Sequence, residues 1–185
     1  MSFLVKAISF GVITLLLAYI SRGSLISLRL HGFYRFFAWE MIVVLVLLNL
    51  DAWFFEPFSC HQLISWILLF LSLYLAIEGV RLLRSIGKPD VDRDDEGLLG
   101  VEKTTRLVHA GIYHYIRHPM YSSLLCLAWG AFFKSFSWIG IVMALGASLF
   151  LTLTAKVEES EDIRYFGEAY RTYQQQTKMF IPYVF

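Results

Sequence analysis

Two stretches combine polar side chains with backbone breaks at the ends of apolar runs: Leu107 to Tyr121 and Ala155 to Tyr173. In the first, Gly111-Ile112-Tyr113 precedes Arg117-His118-Pro119-Met120-Tyr121. Gly111 permits a turn, and Pro119 suits the first turn of a helix, where its missing N–H costs nothing. A helix N-terminus leaves unpaired N–H donors that hold a carboxylate or a ribose hydroxyl, so the bend is a ligand platform. The second stretch carries the carboxylates Glu158 and Glu159.

Taken singly, each residue has a plainer reading. Arg117 reads as a topology anchor, Tyr113 and Tyr121 as interfacial aromatics, and Glu158-Glu159 as a solvated helix start. His118 taken alone reads as hydrogen-bonded structure, and no metal is expected. Cys60 and Cys126 lack C-x-x-C spacing and read as inert thiols. Only the joint occurrence points to a site.

The elements that must position these residues are membrane helices. Of 185 residues, 57% are apolar and 17% aromatic, with mean hydropathy +0.59, above the usual range of a soluble domain. The 16 basic and 15 acidic residues nearly cancel, so no net field recruits nucleic acid. Phe3 to Ile20, Phe36 to Phe55 and Leu63 to Leu83 each approach the roughly 20 apolar residues that a spanning helix needs. Tyr121 to Phe133 and Trp138 to Ala155 are two more apolar runs, joined by Lys134-Ser135-Phe136-Ser137 as a tight hairpin whose first arm is extended or tilted. The hairpin brings the two polar stretches side by side.

Every basic residue except Lys6 and Lys134 falls between runs one and two, at the inner end of run three or after it, or after run five. By the positive-inside rule this predicts an all-α polytopic membrane protein with five transmembrane helices, the N-terminus outside and the C-terminus cytoplasmic. The first run reads as a retained helix because its basic residues follow it and Ala18-Tyr19-Ile20 is a poor cleavage site. Lys88 to Glu102, with its acidic cluster at Asp90, Asp92, Asp94, Asp95 and Glu96, reads as a solvated loop. Val157 to Gln176 reads as a charged helix with Ile163, Phe166, Tyr170 and Tyr173 in one apolar stripe, ended by Met179-Phe180-Ile181-Pro182. The chain is expected to be one domain, with a three-span part over 1–83 and a catalytic part over 105–182.

The pattern Leu107-Val108-x-x-Gly111-Ile112-Tyr113-x-x-x-Arg117-His118-Pro119-Met120-Tyr121, followed by Gly130, Glu158-Glu159, Phe166-Gly167-x-x-Tyr170-x-x-Tyr173 and Ile181-Pro182, resembles the isoprenylcysteine carboxyl methyltransferases and related small membrane methyltransferases. The resemblance implies an S-adenosylmethionine pocket between the cytoplasmic ends of the last two spans and the C-terminal helix. It places Leu107 and Val108 beside the adenine, Tyr113 as a wall, His118, Pro119 and Tyr121 around the methionine portion, and Glu158 as the carboxylate that fixes the cofactor. A carboxylate suits a ligand with sulfonium and ammonium charges in a partly dry site.

Two positions depart from the family. Thr105 stands where a histidine usually precedes the Leu-Val pair, and Thr154 where prenylcysteine enzymes place an arginine four residues before the glutamate. Threonine cannot make the bidentate carboxylate clamp of that arginine, so a thiol, an amine or a lipid headgroup is favoured over a prenylcysteine carboxylate unless Lys156 or Arg164 substitutes.

Methyl transfer from a sulfonium is an in-line displacement that asks mainly for orientation and exclusion of water. A carboxylate needs no base, whereas a thiol or an amine must lose a proton. The catalytic residues stay open, with His118 and Glu158 as candidates; His118 is nearest for the proton, although its role by resemblance is cofactor binding. A lipophilic acceptor would enter from the bilayer. Glu78 and Arg81 either line the meeting point of acceptor and cofactor or form an intrahelical ion pair. The competing readings are a sterol-type membrane reductase using NADPH and a non-catalytic membrane protein, the latter expected to show ionisable groups near the bilayer midplane, where there are few polar groups beyond Asn49 and Asp51 near the end of run two.

Overall fold

The computed structural model describes residues 1–88 and 104–184. The acidic cluster between Asp90 and Glu96 lies outside the described residues. The described chain is helical: α1 (Phe3–Ile20), α2 (His31–Asn49), α3 (Cys60–Leu82), α4 (Pro119–Phe132), α5 (Trp138–Phe166) and α6 (Glu168–Gln176), with short helical turns at Leu50–Ala52, Leu83–Gly87 and Gly111–His114. Among the described residues, four helical stretches are long and apolar enough to cross a membrane: Phe3–Ile20, His31–Ala52, Cys60–Gly87 and Trp138–Phe166. These make the chain a multi-pass membrane protein. The expected fifth span is not among them, because α4 has 14 residues, about 21 Å of helix against a hydrocarbon core of about 30 Å.

Side-chain contacts sort the helix termini into two ends of the bundle. At one end the Met1 amino group and Lys6 Nζ reach Asp51, Asn49 Nδ2 donates to Ala131 O, and Gln62 Nε2 donates to Lys134 O. The α2–α3 connection and the α4–α5 turn therefore lie together beside the N-terminus. At the other end, His31 at the start of α2 meets Glu161 near the end of α5, and Tyr113 OH reaches Gly79 O of α3. The α4 helix joins the two ends, packed antiparallel on α3.

Small residues let the helices approach closely, as membrane interfaces require. Ala128, Ala131, Ala144 and Ala147 are fully buried with Ile42 and Leu45 where α2, α4 and α5 meet. A second cluster, nearer the polar end, gathers Ala38, Tyr121, Leu151, Ala155, Met179 and Phe180. The α1 helix buries no residue and packs on α2.

Several boundaries differ from the sequence reading. The α2 helix begins at His31 rather than Phe36, because the Glu161 carboxylate accepts both the His31 backbone N–H at 3.2 Å and its ring Nδ1 at 2.6 Å. The single helix expected over Val157–Gln176 is two: α5 runs to Phe166, and Gly167 at φ +62 turns the chain into α6. A left-handed backbone conformation of this kind favours glycine. Glu40, midway along α2, is an ionisable group that the hydropathy reading passes over, and its Oε2 accepts the Thr14 hydroxyl of α1 at 2.8 Å.

Candidate functional site

The turn at Gly111–His114 forms because Gly111 takes φ +60, with Leu82 close enough that a Cβ there would meet its Cδ1 at 2.8 Å. The chain then bends at Arg117 and passes through His118, at φ −120 and ψ 61, before Pro119 opens α4. That connecting piece is held by the C-terminal segment. Arg117 N donates to Lys178 O at 2.8 Å, His118 N to Met179 O at 3.2 Å, and Lys178 N to Tyr115 O at 3.1 Å, while Ser122 Oγ donates to Phe180 O at 2.9 Å. Tyr173 of α6 adds a hydroxyl bond to Tyr113 O at 2.7 Å.

A cavity opens between this scaffold and the last turns of α5. It is lined by Leu83, Thr104, Leu107, Val108, Tyr113, Arg117, His118, Pro119, Met120, Tyr121, Glu158, Asp162, Phe166, Tyr170 and Tyr173. The seven residues assigned to a cofactor by resemblance, Leu107, Val108, Tyr113, His118, Pro119, Tyr121 and Glu158, are all in that lining. Arg117, Asp162, Tyr170 and Tyr173 carry no cofactor assignment by resemblance and also line the cavity.

Glu159 organises the floor. Its Oε1 accepts Arg117 Nε at 2.7 Å and lies 3.3 Å from His118 Nε2, and its Oε2 accepts Gln174 Nε2 at 2.8 Å. Arg117 Nη1 continues to the carbonyls of Gln174 and Thr177. The Arg117 and Glu159 side chains are both more than nine-tenths buried, so Arg117 is an internal clamp and not a free topology anchor. His118 stacks on Tyr121 at 5.5 Å and turns Nδ1 toward Glu158 Oε2, 3.6 Å away. That oxygen is buried and has no hydrogen-bond partner among the described residues. Burial pushes the Tyr170 and Tyr173 phenols well above their usual range, so both stay neutral.

The residues assigned to the acceptor are not in this cavity. Thr154 is fully buried and spends its hydroxyl on Phe150 O at 2.7 Å. Glu78 and Arg81 form an i,i+3 ion pair with Arg81 exposed, which is the intrahelical alternative of the sequence reading. Lys156 and Arg164 are exposed on α5 and absent from the lining. A second cavity of about 680 Å³, almost wholly apolar, lies between α3 and α4 and is closed by Ile112, Ile116 and Phe180–Pro182; it shares no residue with the first.

The chain is 31% identical over 71 residues to a methanethiol S-methyltransferase of Pseudomonas deceptionensis, a match covering 38% of this chain and 26% of that relative. The chain thus matches about a quarter of the relative's length. No solved structure matches. The phospholipid methyltransferase family model matches residues 60–169, from the start of α3 to the start of α6 and so more than half of the chain; the chain belongs to that family of membrane methyltransferases.

Proposed function

We propose that the chain transfers a methyl group from S-adenosylmethionine to a lipophilic or membrane-accessible acceptor, and that the cavity around Glu158 holds the cofactor. The observation that carries this reading is the buried, undonated Glu158 Oε2 beside Asp162 in the cavity lining. A buried carboxylate without a donor is costly unless a cation meets it, and the cofactor brings two cationic groups. Leu83, Leu107, Val108 and Tyr113 supply an apolar wall suited to an adenine. When bound, the cofactor supplies an activated methyl; the chain's own residues hold it, orient the acceptor and keep water out.

The acceptor class follows from Thr154. Its hydroxyl is committed to Phe150 O, and neither Lys156 nor Arg164 reaches the cavity, so nothing at these positions clamps a carboxylate. A thiol, an amine or a lipid headgroup is the favoured acceptor, and the name of the bacterial relative supports the thiol. With labelled cofactor, purified protein is expected to methylate a small thiol, an amine or a lipid headgroup faster than a farnesylcysteine analogue. Preference for the farnesylcysteine analogue would refute the acceptor assignment. The short α4 is read as a fifth crossing, tilted or locally thinning the bilayer, with the site end of the bundle in the cytoplasm because the basic residues gather there.

A further inference from the structure

The acceptors favoured above arrive protonated, which makes proton removal part of the reaction. Among the described residues, the site holds one group suited to it. Tyr170 and Tyr173 are held neutral by burial. A carboxylate, with an ordinary pKa of about 4, is a poor match for a thiol near 8.5, and an imidazole is closer.

We propose that His118 Nδ1 is the general base for an S–H or N–H acceptor, and that Glu159 is the positioning residue that leaves that nitrogen free. This rests on the methyltransferase reading. Glu159 accepts hydrogen bonds from Arg117 Nε and Gln174 Nε2, which marks it as an ionised, acceptor-only carboxylate. Facing such an oxygen at 3.3 Å, His118 Nε2 carries the proton, and in the neutral ring Nδ1 keeps its lone pair. Glu159 is absent from the cavity lining whereas His118 and Glu158 are in it, so the lone pair is the side of the ring turned toward the ligand. Glu158 Oε2 at 3.6 Å is too far to hydrogen-bond Nδ1 but near enough to stabilise the ring once charged.

The groups around the ring complete the picture. Glu158 and Glu159 face it from α5, Arg117 precedes it, Tyr121 stacks on it, Phe180 packs on its edge, and Asp162, Tyr170 and Tyr173 share the cavity. In the step itself the acceptor's proton passes to Nδ1 and the acceptor's lone pair forms the bond to the methyl carbon. The carbon–sulfur bond breaks with its electrons going to the cofactor sulfur, which leaves as a neutral thioether.

The test is methyl transfer from labelled S-adenosylmethionine to a lipophilic thiol and to an amine, using a thiol of pKa about 8.5 at pH 7 and at about pH 10. Glu159→Ala and His118→Gln are each expected to lower the pH 7 rate at least about thirtyfold, and to come within about threefold of wild type at pH 10, where the thiolate needs no base. Glu159→Gln, whose amide oxygen can still accept from Nε2–H, should recover most of the pH 7 rate. S-adenosylhomocysteine affinity reports folding. If Glu159→Ala fails to bind it, His118→Gln and Glu159→Gln carry the comparison. A deficit in His118→Gln that is equal at both pH values, or no deficit at all, overturns the assignment. A wild-type protein that neither binds the cofactor nor methylates any acceptor overturns the methyltransferase reading itself.

Discussion

Replacing Arg117 with alanine should unlatch the C-terminal segment from the cavity. The guanidinium makes three charge-assisted bonds, to Glu159 Oε1 at 2.7 Å, to Gln174 O at 3.2 Å and to Thr177 O, with both ion-pair partners under one-tenth exposed. Removing one member of a buried pair costs about 3–5 kcal/mol because the other charge is left uncompensated. The backbone pairing of residues 115–118 with 178–179 is held by the same clamp, so the loss should appear first as local opening. Hydrogen exchange on protein in micelles, where it reports the opening equilibrium, should then accelerate at the Arg117, His118 and Lys178 amides by roughly a hundredfold to a few thousandfold, at about 1.4 kcal/mol per tenfold. Amides in the α2–α5 core, such as that of Leu151, serve as the internal control. Arg117→Lys keeps the charge but loses the fork that reaches three acceptors, and should lose about half as much. Exchange in Arg117→Ala within threefold of wild type would refute the clamp.

Lys134, fully buried at the opposite end, donates to Gln62 Oε1 at 3.0 Å and stands 3.4 Å over the Trp66 ring. Lys134→Ala should cost about 2–4 kcal/mol by removing that cation–π contact and orphaning the amide oxygen, read as a lower unfolding midpoint in detergent; an unchanged midpoint contradicts it. Reporter fusions at Lys88, after α3, and in the Lys134 turn, after α4, should report opposite sides of the membrane, and the same side for both would refute the fifth crossing.

Much of the site was legible because its residues are carried on local signals. Gly111 marks a turn and takes positive φ, and Pro119 marks a helix start and occupies the first position of α4. What stayed hidden depends on partners distant in sequence. The start of α2 is set by Glu161, 130 residues away, and Arg117 reads as an anchor until Glu159 is folded against it. Which of two adjacent glutamates faces the cavity is a matter of helix rotation, about 100° per residue, which no neighbouring residue announces. Glu158 lines the cavity and Glu159 braces it from behind. The length of α5 was underestimated because its last three turns are charged and read as a separate element, whereas those charges are the polar end of one continuous helix that stops only at Gly167.

The central claim is that the cavity around Glu158 binds S-adenosylmethionine. Calorimetry on the detergent-purified protein, titrating S-adenosylmethionine and NADPH into wild type and Glu158→Ala, tests it most directly. Wild type should bind S-adenosylmethionine and not NADPH, and the substitution should weaken binding at least about tenfold, or about 1.4 kcal/mol, with the protein still folded. Binding of NADPH in place of S-adenosylmethionine, or an affinity unmoved by the loss of Glu158, would contradict the account.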